Sequence, residues 1–143
     1  MRNILYTIAI CLFLTTSCTF DVSDNGDLDG YWQLSAVDTL SNQKCVNMRD
    51  SGIFWAVQFE KLVTSSVNPV SEVIFDFKQT PDSLTLSNPY VLYRDSSDIK
   101  ITNTDRLRKY GVNNLEERFR IVRLDDSRMI LETELLRLNF RRY

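Results

Sequence analysis

Three places in this chain carry side chains that could do chemistry. Cys18 follows the small residues Thr15-Thr16-Ser17, Cys45 lies between Lys44 and Arg49, and Asp125-Asp126 is an adjacent carboxylate pair. A cysteine must become a thiolate to attack, and a carboxylate pair serves as acid and base only when its members titrate apart. The usual activating group, a histidine titrating near neutral pH, is absent from all 143 residues. That removes Ser-His-Asp and Cys-His arrangements and every histidine metal site. The sequence also lacks a CxxC pair, an EF-hand loop and a glycine-rich phosphate loop. Cys45 therefore reads as an inert loop thiol, and Asp125-Asp126, standing before Ser127, as a turn. The expectation is a protein that is not an enzyme, with no cofactor and no metal site.

Cys18 differs because an export signal precedes it. Arg2 is followed by the apolar run Ile4 to Leu14, the pattern of a secretory signal. At about 1.5 Å of helical rise per residue, that run falls well short of a hydrocarbon core of roughly 30 Å. A cysteine directly after small residues resembles a bacterial lipoprotein processing site, where it becomes the acylated first residue of the mature chain. Thr15 stands where such sites usually carry Leu, with Leu14 one place earlier. The competing reading is ordinary cleavage after Ser17, which leaves Cys18 a free thiol able to pair with Cys45. The expected organisation is a signal over residues 1–17, a lipidated cysteine and acidic tether over 18–29, and one domain over 30–143.

The tether carries Asp21, Asp24, Asp27 and Asp29 among Ser23, Asn25 and Gly26, and reads as solvated. It resembles the acidic stretch behind the lipidated cysteine of surface-exported lipoproteins of Bacteroidetes-type bacteria. The implied location is the cell envelope, as an outer-membrane lipoprotein on the periplasmic face or the cell surface. A net charge of −2 on an exported chain argues against nucleic acid as a partner. The membrane is the expected partner, reached through the anchor, and no protein partner is identified.

The domain reads as strands. Trp32, Leu34 and Ala36 alternate with Gln33 and Ser35, and Val73, Phe75 and Phe77 alternate with Glu72, Asp76 and Lys78. Ile53 to Val63 places Trp55, Val57, Phe59 and Val63 on one parity. Asn68-Pro69, Thr80-Pro81-Asp82 and Asn88-Pro89 punctuate further short strands, the spacing of a barrel or sandwich. One short helix is expected after Ile101, with Thr104 as N-cap, Leu107 as apolar contact and Gly111 as stop. In Arg118 to Leu124 the apolar parity changes between Ile121 and Val122, which a bulge would reconcile. Leu136, Leu138 and Phe140 line one face of the last strand, which is expected to pair with the first. The fold class is all-β, a closed antiparallel up-and-down barrel of about eight strands with one short helix. Residues Thr39 to Gly52 form a long polar connection, either a lid or a plain surface loop.

Gly30-Tyr31-Trp32 at the start of the first strand resembles the Gly-x-Trp mark of lipocalin-like (calycin) families. Tyr110-Gly111-Val112, Glu117-Arg118-Phe119, Ser127-Arg128-Met129-Ile130-Leu131 and Leu138 to Tyr143 resemble the C-terminal half of small Bacteroides-type lipocalin-like lipoproteins, a family without an assigned function. The resemblance implies that Trp32 closes the barrel floor and that an arginine near the end of the last strand stacks on it. Arg142 shares the parity of Leu136, Leu138 and Phe140 and is the candidate. It also implies that the connection after the first strand partly covers the cavity mouth.

Two functions follow. In the first, Trp55, Val57, Phe59, Val73, Phe75, Phe77 and Met129 line a cavity that holds a small apolar or amphipathic ligand, gated by the loop around Cys45. The same parity arises if those side chains fill the interior, in which case no ligand fits there. In the second, the barrel is an interaction or scaffold module that docks to another envelope protein through an apolar patch on its outside, involving Tyr90, Tyr93 or Tyr143.

Overall fold

The computed structural model describes residues 22–67, 69–92 and 97–143. Its strands are β1 (Gly30–Thr39), β2 (Lys44–Asn47), β3 (Ile53–Gln58), β4 (Lys61–Val67), β5 (Val70–Gln79), β6 (Ser83–Val91), β7 (Ile99–Lys100), β8 (Glu117–Leu124), β9 (Arg128–Glu132) and β10 (Leu136–Arg142). Neighbours run antiparallel in the order β10-β9-β8-β6-β5-β4-β3-β1, and β10 pairs back onto β1. This is a closed eight-stranded up-and-down barrel; β2 extends the β1 wall beyond β3, and β7 adds a short pair to the end of β6. Closure satisfies the backbone groups that an open sheet leaves along its edges.

Alternation sets the interior, and bulges correct it where the sequence pattern slips. Opposite Leu34 and Ala36 the β10 register runs Phe140 then Asn139, so Ser35 is the extra residue in β1. Ala36 is thereby turned off the inner face, and Val37, opposite Leu138, packs against the core instead. In β8 the shift falls between Ile121 and Arg123, leaving Val122 outside and returning Leu124 to the core. Asn88-Pro89 is not a turn between two strands. It is a bulge within β6, where Asn88 takes φ 49° and Pro89 occupies a break in the ladder that costs its missing N–H nothing.

The strand expected from Ile53 through Val63 is a hairpin. Gln58 pairs with Lys61, and Phe59 sits in the two-residue turn at φ 54°, 46% exposed. The reversal puts Leu62 inside and Val63 outside. No Gly, Asn or Pro marks this turn, so the apolar alternation continues through it in the sequence.

Residues 39–52 are not an unstructured lid. They make the β1–β2 hairpin, whose β2 residues are all exposed, and then a 3₁₀ turn over Arg49–Ser51. The element before β8 is likewise a 3₁₀ turn, Arg108–Tyr110, with Leu107 at its start, no capping side-chain hydrogen bond and Gly111 at its end. Thr104 contributes its carbonyl, which accepts from the N–H groups of Leu107 and Arg108.

Candidate functional site

The barrel floor is built from both ends of the domain. Trp32 stands directly opposite Arg142, and the guanidinium lies over the indole at 4.5 Å. The indole Nε1 donates to the Leu28 carbonyl at 2.9 Å. Arg142 donates to the Asp29 and Asp27 carbonyls at 2.8 and 2.9 Å. Gly30 is required here: a Cβ at this position would lie 2.4 Å from the Arg142 guanidinium, and its φ of +128° disfavours side chains in any case.

The acidic stretch before β1 is not a solvated tether along its described part. Ser23 and Asn25 both hydrogen-bond the Asp29 carboxylate, Asn25 also donates to the Phe59 carbonyl, and the Phe59 N–H donates to Ser23 Oγ. A 3₁₀ turn over Gly26–Leu28 then drives Leu28 into the floor, where it is fully buried. Leu28, one leucine among aspartates, is the sequence signal for this burial. Burial would raise the Asp29 carboxyl, but hydrogen bonds from Ser23 and Asn25, aided by the Arg142 charge, outweigh it and hold the group below its ordinary value.

Above the floor the interior is occupied by side chains. Trp55, Phe75 and Met129 are fully buried, and Val57 and Val73 nearly so. The Trp55 ring meets Phe140 at 4.8 Å and Phe119 at 5.8 Å, so aromatic rings from three strands fill the middle of the barrel. These residues are brought together as core rather than as the lining of a void, and Phe77 is only half-buried. The Trp55 Nε1 is a buried donor with no partner among the described residues.

The mouth is roofed by the segment between β7 and β8, and from the segment after β1 Met48 packs against the same core while Cys45 and the rest of β2 stay exposed. Ile101, Leu107, Tyr110 and Val112 all enter the core. Tyr110 Oη donates to the Ser71 carbonyl at 3.0 Å and pairs with Ser71 Oγ at 2.8 Å, while Lys109 donates to the same hydroxyl and lies over the Tyr110 ring. Glu117 fastens the roof's exit by accepting from the Asn113 and Asn114 N–H groups at 2.7 and 2.9 Å.

Clefts open at both ends. At the mouth, Val70, Val73, Val91 and Tyr110 face Glu72, Asp105, Arg106 and Lys109 around about 520 Å³. At the floor, Phe59, Phe77 and Pro81 border about 810 Å³ with Asp24, Glu60, Lys61 and Asp76. Thus Phe59 and Phe77 lie beside one cleft, Val73 beside the other, and Trp55, Val57, Phe75 and Met129 beside neither of these two.

The sequence matches the family model for a lipocalin-like domain over residues 11–143. The chain belongs to the lipocalin-like domain family. Among solved structures it is similar to a lipocalin-like protein from Bacteroides uniformis, with TM-score 0.63 and 17% identity over 82% of this chain and 100% of that one. An uncharacterised protein from Bacteroides eggerthii gives TM-score 0.59 and 17% identity, covering 80% and 98%. At that identity the likeness concerns the fold. No curated protein matches the sequence. The lipocalin-like barrel is compatible with binding of a small hydrophobic molecule.

The remaining candidates for chemistry in this lipocalin-like chain are placed as follows. Cys45 is exposed on β2 opposite Asp38, whose carboxylate, by hydrogen bonding and then charge, helps push the thiol up from its usual value. A raised thiol is less nucleophilic at neutral pH. Asp125 accepts from Ser127 Oγ at 2.7 Å, from the Ser127 and Arg128 N–H groups at 2.9 Å, and from Arg123, which together hold its carboxyl far below the ordinary range. It organises the β8–β9 turn. Cys18 and Tyr93 lie outside the described residues.

Proposed function

We propose that this lipocalin-like protein is a non-catalytic binding protein of the cell envelope, acylated at Cys18, that holds one small amphipathic ligand in the cleft at the barrel mouth. The anchor reading is supported by the sequence before Cys18. The ligand reading is carried by the mouth cleft, whose volume falls within the range of small-molecule sites, on the order of 300–1,000 Å³. Its valines and Tyr110 offer an apolar wall. Its two acidic and two basic residues cancel, which suits a neutral or zwitterionic head better than a free anion. The filled interior supports moving the ligand from the barrel centre to this rim.

Native mass spectrometry of the full chain purified from envelopes tests both parts. The acyl mass on Cys18 and a retained small molecule are expected. Titration with lysophosphatidylethanolamine, a zwitterionic single-chain amphiphile, should give binding that Val70→Asp weakens about tenfold, roughly 1.4 kcal/mol. Val70 is exposed, so folding is spared. Absence of both retained molecule and probe binding sinks the ligand reading; an unmodified Cys18 sinks the anchor reading.

A further inference from the structure

The pinning of residues 23–29 shortens the free connection between Cys18 and the barrel. Cys18 and Val22 are four Cα steps apart, a reach of at most about 14 Å whatever their conformation. Had the whole acidic stretch been a tether, the barrel could have stood well clear of the membrane. With Ser23, Asn25 and Asp29 locked to one another and to Phe59, a lipid on Cys18 would hold the barrel close to the surface by its floor.

Around Phe59 the floor rim presents aromatic and apolar side chains among the acidic Asp24 and Glu60, and farther round, at Tyr143, it turns basic. Val22 emerges into a groove with Tyr31, Ala56, Val57 and Phe59. Tyr31 stacks on Phe54 at 4.9 Å, and Tyr143 meets both edge-on at 5.9 and 5.1 Å, on the outer wall where core packing does not require them. Tyr31 is 39% exposed, Phe59 46% and Tyr143 71%. Beside Tyr143, Arg141 of β10 stands directly opposite Arg128 of β9, and among the described residues neither has a carboxylate partner. Arg141 gives its Nε–H to Gln33 Oε1 at 2.6 Å, a neutral acceptor, so the like charges in direct register have no anion between them, which is unfavourable.

We infer that this rim, from Phe59 across Tyr31 and Tyr143 to the Arg128–Arg141 pair, is a lipid-facing surface that seats the barrel floor on the membrane, with Phe54, 8% exposed, packed beneath the two tyrosines. The inference rests on the acylated Cys18 proposed above. Tyrosine suits the interface because its ring is apolar and its hydroxyl stays wet, and paired arginines suit headgroup phosphates. The surface would orient the molecule with its mouth cleft away from the bilayer.

The test uses the full acylated chain in vesicles of phosphatidylethanolamine and phosphatidylglycerol, in a Cys45→Ser background. An environment-sensitive label is placed at Gln58→Cys on the floor rim or at Leu135→Cys on the β9–β10 turn, both exposed. Brominated lipid should quench the floor label at least about threefold more than the turn label, as expected for contact confined to the interface. The triple variant Arg128→Gln, Arg141→Gln, Tyr143→Ser should equalise the two while the protein stays anchored. Equal quenching in the unaltered rim overturns the inference, as does a protein crosslinked stoichiometrically to it. An unmodified Cys18 in the intact mass removes the anchor reading itself, which is read separately.

Discussion

Trp32 and Trp55 are both fully buried, yet their polar atoms fare differently. Trp32 gives its N–H to Leu28 and its ring face to Arg142, whereas the Trp55 N–H has no acceptor among the described residues. Trp32→Phe should therefore cost about 2–4 kcal/mol, the sum of a lost hydrogen bond, a weakened cation–π contact and lost volume. Trp55→Phe removes an unpaired donor along with volume, so its cost should be smaller, about 1 kcal/mol. Denaturant midpoints of the two variants check the order. At this scale the sequence was informative where strands are regular. The parity of β10 carries Leu138, Phe140 and Arg142 to one side because the bulge at Ser35 lies in β1 and leaves the β10 alternation intact. Alternation alone places Phe59 inside, because its turn is held by Ser23 and Asn25 across 36 and 34 residues, a reason local pattern cannot supply.

The floor segment over residues 23–29 behaves as one element clasped by the Asp29 carboxylate. Its folded value lies below the ordinary one, so the clasp is fully present above the ordinary carboxylate range and is lost as pH falls through the folded value. Acidification below about pH 4 should loosen the segment and change Trp32 fluorescence in a Trp55→Phe background, and Asp29→Asn should show the loosened signal at neutral pH. A flat fluorescence titration would contradict this. Leu28→Ala should cost about 3 kcal/mol, the usual loss for a fully buried leucine. The roof was half-legible: Gly111 marks its end, at φ 85° and with no room for a Cβ beside Leu138. Its role as the cover of the mouth depends on Tyr110 reaching Ser71 across 39 residues, which spacing does not show.

As a whole the molecule is a barrel sealed below by Leu28, Trp32 and Arg142, roofed by Leu107, Tyr110 and Val112, and filled between by Trp55, Phe119 and Phe140. The closed all-β architecture was readable because alternation and turn residues recur along the chain. Whether the inner face lines a void or fills it was not, since both give the same parity and only side-chain volumes in three dimensions separate them. The central claim is that filling, which moves any ligand to the rim. The Trp55 indole hydrogen reports on it most directly, being buried beside Phe140 and Phe119. Transferred to deuterated water and followed by NMR, it should persist for hours, exchanging only when the barrel opens globally. Exchange within about a minute would mean solvent already reaches the centre, and the account of a filled barrel would be wrong.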